Sequence, residues 1–161
     1  MSLYINLIQN ILNFSDLKTQ IKLCSLCQEN YYFLKIFKLN ALNDLNITQK
    51  IIEQDKFNKL RELDINNNKN INDVNFAKNT LEKLNASEKY CGITQNGIQE
   101  LIKLKYLNIS NNDKINNVNF AKFTLEFLDI SGENSGITQK VINVNFAKDI
   151  LFLKKYIFYY L

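Results

Sequence analysis

Residues 71–87 read "INDVNFAKNTLEKLNAS" and residues 115–131 read "INNVNFAKFTLEFLDIS", with 12 identities in 17 positions. Two segments this similar within one chain indicate an internal repeat, and a repeat decides the fold class before any local pattern does. The stretch "VNFAK" occurs a third time at residues 144–148, 26 residues after its second copy, whereas the first two copies are 44 residues apart. The chain is therefore periodic, and the last period is shortened.

A shorter repeat lies within this period. Leucine-like residues recur in the pattern L-x-x-L-x-L at spacings of 21, 23 and 21 residues: Leu60, Leu63 and Ile65; Leu81, Leu84 and Ala86; Leu104, Leu107 and Ile109; Leu125, Leu128 and Ile130. In leucine-rich repeats this pattern marks a short strand. The spacing predicts an α/β fold, a leucine-rich-repeat solenoid with a curved parallel sheet and helical and irregular returns.

Alternate repeats carry an Asn just after the strand pattern. Asn68 and Asn112 occupy this position, while Lys89 and Glu133 replace it in the other two repeats. A buried Asn amide satisfies backbone groups at a strand-to-loop turn. The pattern predicts a structural Asn ladder in alternate turns only.

The two kinds of return between strands are expected to differ. In one kind Thr94 should cap a helix, with Thr48 and Thr138 in equivalent places. The apolar residues of that helix recur at helical spacing: Ile98, Leu101, Ile102. The other kind, "VNFAKNTL", is too short for more than one helical turn and is predicted to be an irregular return that fills the core with Val74, Phe76 and Leu81.

The residues between the inward leucines are expected to line the concave side of the sheet in columns. The first column is Glu62, Lys83, Tyr106 and Phe127; the second is Asp64, Asn85, Asn108 and Asp129; the third is Asn66, Ser87, Ser110 and Ser131. The first two columns are the candidate partner-binding residues. Tyr106 and Phe127 are the strongest candidates because large aromatic side chains dominate binding hot spots. A merely solvated polar face is the alternative.

The C-terminal end departs from the period. "GITQ" at residues 136–139 is followed almost at once by "NVNFAK", so 18 residues of helix and strand are missing relative to the preceding period. The last "VNFAK" is therefore not expected to take its usual role. Residues 149–161, "DILFLKKYIFYYL", are predicted to form an irregular apolar cap over the open end.

The N-terminal residues do not repeat. Residues 1–40 are predicted to form a small helical segment, with Asp16 as a cap or turn between helices, and residues 41–161 the repeat region. Cys24 and Cys27 form a C-x-x-C, but the chain has 3 Cys and no His, too few ligands for a thiol and imidazole zinc site. Core packing is the favoured interpretation of these thiols.

This segment resembles an F-box, the three-helix module that docks on a Skp-type adaptor of cullin-based ubiquitin ligases. The resemblance runs without gaps from Leu3 to Leu26 and includes "DLKT" at residues 16–19; Tyr4, Ser15 and Gln20 stand where the family has Pro, Leu and Leu. It implies that the adaptor is bound by Leu3, Leu7, Ile8, Ile11, Leu12, Phe14 and Leu17.

The repeats are similar to leucine-rich-repeat proteins that giant DNA viruses carry, often behind an F-box-like start, with elements like "CGITQNGIQEL" (91–101) and "LEKLNAS" (81–87). The resemblance implies a protein–protein interaction module, the substrate receptor of a Skp/cullin/F-box-type ubiquitin ligase, with a host Skp-type adaptor and a target protein as partners. The alternative is a free-standing leucine-rich-repeat binding scaffold whose N-terminal helices only cap the solenoid.

Composition disfavours other classes. The net charge of +4 is spread along the chain without a basic stripe, so nucleic-acid binding is not expected. No apolar run is long enough for a membrane span, and no signal peptide is recognised, so a cytoplasmic protein, in the host cytoplasm if viral, is expected. Without His, a nucleophile elbow or a phosphate-binding glycine loop, the sequence predicts neither an enzyme nor a cofactor.

Overall fold

A computed structural model describes residues 3–25, 34–41, 46–137 and 152–154. Two helices come first, α1 (Leu3–Asn13) and α2 (Leu17–Ser25), and a single α-helical turn follows at Gln49–Ile52. The described part of the chain is otherwise a mixed α/β fold built on one parallel sheet. Within that part, none of the helices has the length and apolar character needed to span a bilayer.

The sheet has six short strands in sequential order, each parallel to the next. They are β1 (Lys38–Asn40), β2 (Glu62–Asp64), β3 (Lys83–Asn85), β4 (Tyr106–Asn108), β5 (Phe127–Asp129) and β6 (Phe152–Lys154). The register joins Glu62 to Lys83, Lys83 to Tyr106 and Tyr106 to Phe127. The first predicted column is therefore one row of register neighbours across four strands.

β1 precedes the strands that the sequence pattern identified. It pairs with β2 through Leu39 and Leu63, so the sheet begins inside the segment expected to be the separate N-terminal unit of residues 1–40. Ile36, Leu39 and Ala41 are all buried and have the spacing L-x-x-L-x-L. An Ala in the third place and a 24-residue step to the next repeat had hidden this first repeat.

The core lies between the sheet and the returns. The inward residue of each strand from β1 to β5 is buried, and the leucine-like residues that flank β2 to β5 are buried with it. Val74 and Leu81 are also fully buried, and Phe76 packs partly buried against the core. These three residues fill the core from the "VNFAK" return as predicted.

The returns contain short 3-10 turns where the sequence predicted a helix. After Thr94 the chain forms one 3-10 turn, Gln95–Gly97, and the Thr94 side chain makes no capping hydrogen bond. The predicted helix with Ile102 on its apolar face is therefore wrong, and Ile102 is 53% exposed. An α-helix is about 10 Å wide, whereas parallel strands are spaced by about 4.8 Å, so successive turns leave little room for helices.

The "ITQ" motif matters for its Gln. Gln49 Oε1 accepts hydrogen bonds from the backbone N–H groups of Asn72 and Asp73, at 3.0 and 3.1 Å. Gln95 Oε1 accepts the equivalent bonds from the next return, at 3.1 and 2.9 Å. Each Gln thus joins its own return to the following one, a role that needs an amide at the end of a side chain of this length.

The Asn of "VNFAK" joins turns in the same way. Asn75 Nδ2 donates to the carbonyl of Asn96 at 2.7 Å, and Asn75 Oδ1 accepts from the N–H of Glu100 at 3.0 Å. The motif therefore recurs because it supplies both buried apolar side chains and an amide staple to the next turn.

The two N-terminal helices are packed on the beginning of the sheet. Asp16 caps α2 as predicted, since its carboxylate accepts from the N–H and the hydroxyl of Thr19, both at 3.0 Å. These hydrogen bonds lower the pKa of Asp16. Gln9 exchanges two hydrogen bonds with the backbone of Lys35, at 2.9 and 3.1 Å, which fix α1 to the first repeat.

The C-terminal end differs from the expected irregular cap. Residues 152–154 form β6, a regular strand in which Leu153 pairs with Leu128 of β5. The chain thus extends the sheet by one more strand despite its shortened last period. The third "VNFAK", Thr138 and the rest of the predicted cap lie outside the described residues, as do Leu26, Cys27 and the segment expected to form a third N-terminal helix.

Candidate interaction surfaces

A stripe of apolar side chains on α1 faces solvent. Leu7, Ile11 and Phe14 are 60%, 50% and 94% exposed and are spaced by four and three residues, so they share one face of the helix. We call these three residues the α1 stripe. The opposite face is buried through Ile5 and Leu12.

The expected adaptor-binding residues therefore divide into two groups. Leu7, Ile11 and Phe14 point outward, whereas Leu12 is buried and Ile8 packs partly buried against the core. Leu3 and Leu17 begin α1 and α2, and their side chains lie outside the described part of the chain.

Gln20, which replaces a family leucine, lies inside the corner between the two helices. It is buried, and its Nε2 donates to the carbonyls of Leu12 and Ser15, at 3.1 and 3.0 Å. These carbonyls at the C-terminal end of α1 would otherwise lack partners. The amide thus closes the helical corner, and it is not part of the exposed stripe.

The first column of the sheet face has two chemically different halves. Glu62 Oε1 lies 3.0 Å from Lys38 Nζ and 3.3 Å from Lys83 Nζ. Partial burial would raise the pKa of Glu62, but hydrogen bonds from the two lysines outweigh it and hold this pKa below its usual value. The next two members, Tyr106 and Phe127, stack with ring centroids 4.4 Å apart and an interplanar angle of 2°.

The second column is used within the chain. Each of its side-chain oxygens accepts a hydrogen bond from the backbone N–H two residues later, at 2.9 to 3.3 Å: Asp64, Asn85, Asn108, Asp129. The third column adds side-chain bonds, among them Asn66 Nδ2 to Ser87 Oγ at 2.8 Å. These residues hold the turn that ends each strand, a role that the sequence analysis did not assign to them.

A groove of about 540 Å³ lies between the turn after α1 and the first two columns. Asn13 and Asp16 line one side, and the first column from Lys38 to Tyr106 lines the other. The groove therefore places the N-terminal helices and the sheet face beside one binding volume.

The two structural Asn residues are buried at equivalent turns. Asn68 Nδ2 donates to the carbonyl of Ile47 at 3.1 Å, and Asn112 Nδ2 donates to that of Ala86 at 2.9 Å. Their Oδ1 atoms accept from the backbone N–H two residues later, at 2.9 and 3.0 Å. In the alternate turns Lys89 and Glu133 are exposed.

The described residues offer no catalytic or metal-binding constellation. They contain no group of three or more side chains suited to hold a metal ion. Cys24 and Cys91 are buried, and burial raises the pKa of both thiols, which makes them poor nucleophiles.

Comparison with known proteins identifies no relative: no family profile matches the chain, and no curated protein matches it either. Function therefore has to be inferred from the surfaces alone.

Proposed function

We propose that this protein is a leucine-rich-repeat substrate receptor whose F-box-like α1 binds a Skp-type adaptor of a cullin ubiquitin ligase. The observation that carries the proposal is the α1 stripe. Leu7, Ile11 and Phe14 are three large apolar side chains on one exposed helix face, and such a continuous apolar patch is typical of a protein-binding surface.

The repeat region supports the second half of the proposal. One short parallel strand every 21 to 24 residues, joined by short returns, is the arrangement expected of a leucine-rich-repeat solenoid. Such a sheet presents one broad face, on which the Tyr106–Phe127 stack would contact the target protein. This role belongs in the cytoplasm, of a host cell if the protein is viral.

A free-standing repeat scaffold is the second candidate. The buried face of α1, with Ile5 and Leu12, and the two Gln9 hydrogen bonds to Lys35 attach the helix to the first repeat. These contacts are what a simple cap needs. They leave the α1 stripe without a role, and for this reason the adaptor-binding proposal is preferred.

Binding of a purified Skp-type adaptor to the immobilised full chain tests the choice. The wild type should bind at micromolar adaptor, and Ile11→Asp should abolish binding because a charge in the centre of a dry contact is strongly unfavourable. Asn6→Asp is the matched control, since Asn6 is an exposed α1 residue about 100° around the helix from Leu7. No wild-type binding at micromolar adaptor, or equal binding by Ile11→Asp, would favour the scaffold.

A further inference from the structure

The internal repeat allows the surface of the molecule to be compared with itself. Residues 57–93, the first unit, align without gaps with residues 101–137, the second unit, at an offset of 44. Each buried apolar position of the first unit has an apolar counterpart in the second, except Cys91, which is replaced by Ser135. The two units therefore have the same core, and differences at exposed positions are not required for folding.

Four substitutions between the units replace a charged or amide side chain by a large hydrophobic one. They are Asn58 by Ile102, Glu62 by Tyr106, Asn79 by Phe123, and Lys83 by Phe127. None of the four hydrophobic residues is fully buried, and Ile102 and Phe123 are 53% and 90% exposed. The hydrophobic replacements thus lie at the surface, where they contribute little to the core.

These four residues lie together in space. Tyr106 and Phe127 are register neighbours in β4 and β5. Ile102 and Phe123 lie four residues before them, each two residues ahead of a buried leucine, at the edge of the sheet where these strands begin. Four residues of extended chain span at most about 14 Å. A short segment of a partner could therefore contact the edge pair and the stacked pair together.

Lysines surround this surface. The ammonium of Lys122 lies 4.7 Å from the centroid of the Phe123 ring, and Lys103 is exposed next to Ile102. Neither lysine has an ion-pair partner among the described residues. Lys105 lies between the two pairs and contacts Glu82 at 3.5 Å. The rim thus carries a surplus of positive charge that an acidic partner would neutralise.

We propose that Ile102, Tyr106, Phe123 and Phe127 dock a segment of another protein in which apolar side chains are flanked by Asp or Glu. The apolar residues of that segment cover the edge pair and the stack, and its carboxylates pair with Lys103 and Lys122. This inference rests on the proposed function only in taking the repeat sheet as the target-binding half. It does not involve the α1 stripe.

The decisive variant restores the residues of the first unit: Ile102→Asn with Phe123→Asn. Because Asn58 and Asn79 occupy the equivalent exposed positions, we expect this variant to fold like the wild type. Tyr90→Asn is the matched control, since Tyr90 is 68% exposed and its counterpart in the second unit is Asn134. A second test variant, Lys103→Glu with Lys122→Glu, reverses the charge of the rim and keeps the apolar residues.

The probe is a displayed library of random peptides about a dozen residues long, selected on the full chain. Enriched peptides should combine Leu, Phe or Tyr with flanking Asp or Glu. The best peptide, measured by fluorescence anisotropy, should bind the double-Asn variant and the double-Glu variant on the order of tenfold more weakly. Tyr90→Asn should change its affinity less than about twofold, as expected for a residue outside the contact.

Several results would overturn the inference. These are no enrichment over the double-Asn variant, enrichment of Lys- or Arg-rich peptides, or equal binding by the double-Glu variant. Self-association of the wild type that the double-Asn variant abolishes would instead make a second copy the occupant, and would also overturn it. Adaptor binding through α1 should be unchanged in all of these variants, so failure here is distinguishable from failure of the ligase proposal.

Discussion

The first unit, residues 57–93, and the second unit, residues 101–137, share one backbone path and differ mainly in what they show to solvent. In the first unit the sheet face carries Glu62 and Lys83 as an ion pair, and in the second the same two places hold the Tyr106–Phe127 stack. Close packing restricts the inward residues of both units, whereas the outward residues are free to vary. The difference shows that the second unit is the part of this repeat region specialised for binding.

Smaller differences inside the units are structural. Cys91 donates to the carbonyl of Ile65 at 3.6 Å, whereas the hydroxyl of Ser135 in the equivalent place has no hydrogen-bond partner among the described residues. Glu88 has a φ of +79°, and its counterpart Gly132 has a φ of +95°. At both places one unit carries the residue that suits its local environment better than the other does.

The largest expected effect tests whether the two cores are equivalent. Leu84→Ala and Leu128→Ala remove fully buried, register-equivalent side chains and should each reduce the free energy of unfolding by about 2–5 kcal/mol. Lys83→Ala and Phe127→Ala, one residue away on the solvent side, should cost much less. Urea unfolding of the four variants measures this. A Phe127→Ala loss as large as that of Leu128→Ala would mean that the aromatic stack belongs to the core.

The structural Asn residues should come next. Asn68→Ala and Asn112→Ala leave buried backbone carbonyls and one N–H without side-chain partners, which should cost about 1–3 kcal/mol in either unit. Asn116→Ala, an exposed Asn four residues after Asn112, should change stability by less than about 0.5 kcal/mol. Equal stability of Asn112→Ala and Asn116→Ala would contradict a structural role for the Asn ladder.

The Cys91 and Ser135 difference predicts a pH effect confined to the first unit. Burial raises the pKa of Cys91 from 9.0 to about 11. The folded state therefore holds this proton more tightly than the unfolded state, and the resulting stability is complete below pH 9.0 and is lost as pH approaches about 11. Between these values the loss should be about 1.4 kcal/mol per pH unit.

Comparison with Cys91→Ser isolates this contribution from other groups that titrate at high pH. Raising the pH from about 9 to about 10 should destabilise the wild type by about 1 kcal/mol more than Cys91→Ser. The measurement is urea unfolding at both pH values. Parallel losses in the two proteins would show that the thiol is not desolvated.

The smallest expected effect concerns the turn after β3. Glu88→Gly installs the residue of the second unit at a positive φ and should stabilise the protein by about 0.5–1 kcal/mol. Gly132→Ala should have the opposite sign, because a Cβ there would lie 2.0 Å from Asn111 Oδ1. Thermal unfolding compares the two, and the same sign for both would refute the equivalence of these turns.

Much of the fold was predictable because its cause is repeated. The L-x-x-L-x-L pattern predicted β2 to β5 and their register, since each inward leucine has to lie over the one before it. The first strand was missed because Ala41 takes the place of a leucine. The helix predicted after Thr94 was wrong because the periodicity of Ile98 and Leu101 reflected burial in a compact return without helical structure.

The interaction surfaces were only partly predictable. The stack of Tyr106 on Phe127 follows from the column that the sequence defined, although its geometry does not. Which α1 residues are exposed could not be derived from an amphipathic pattern alone, because both faces of this helix carry apolar residues. Ile102 and Phe123 could have been found by aligning the two units with each other, which shows hydrophobic residues where the repeat otherwise has Asn.

The sequence by itself determined the repeat, the inward and outward positions of β2 to β5 and the Asn ladder, because each depends on spacing that recurs along the chain. The tertiary structure decided which face of α1 is exposed, that Gln20 closes a helical corner, and that Asp64, Asn85, Asn108 and Asp129 hold their own turns. These features depend on distances between residues that no local period relates. Such contacts are fixed only when the turns stack and each buried polar group has to find a partner.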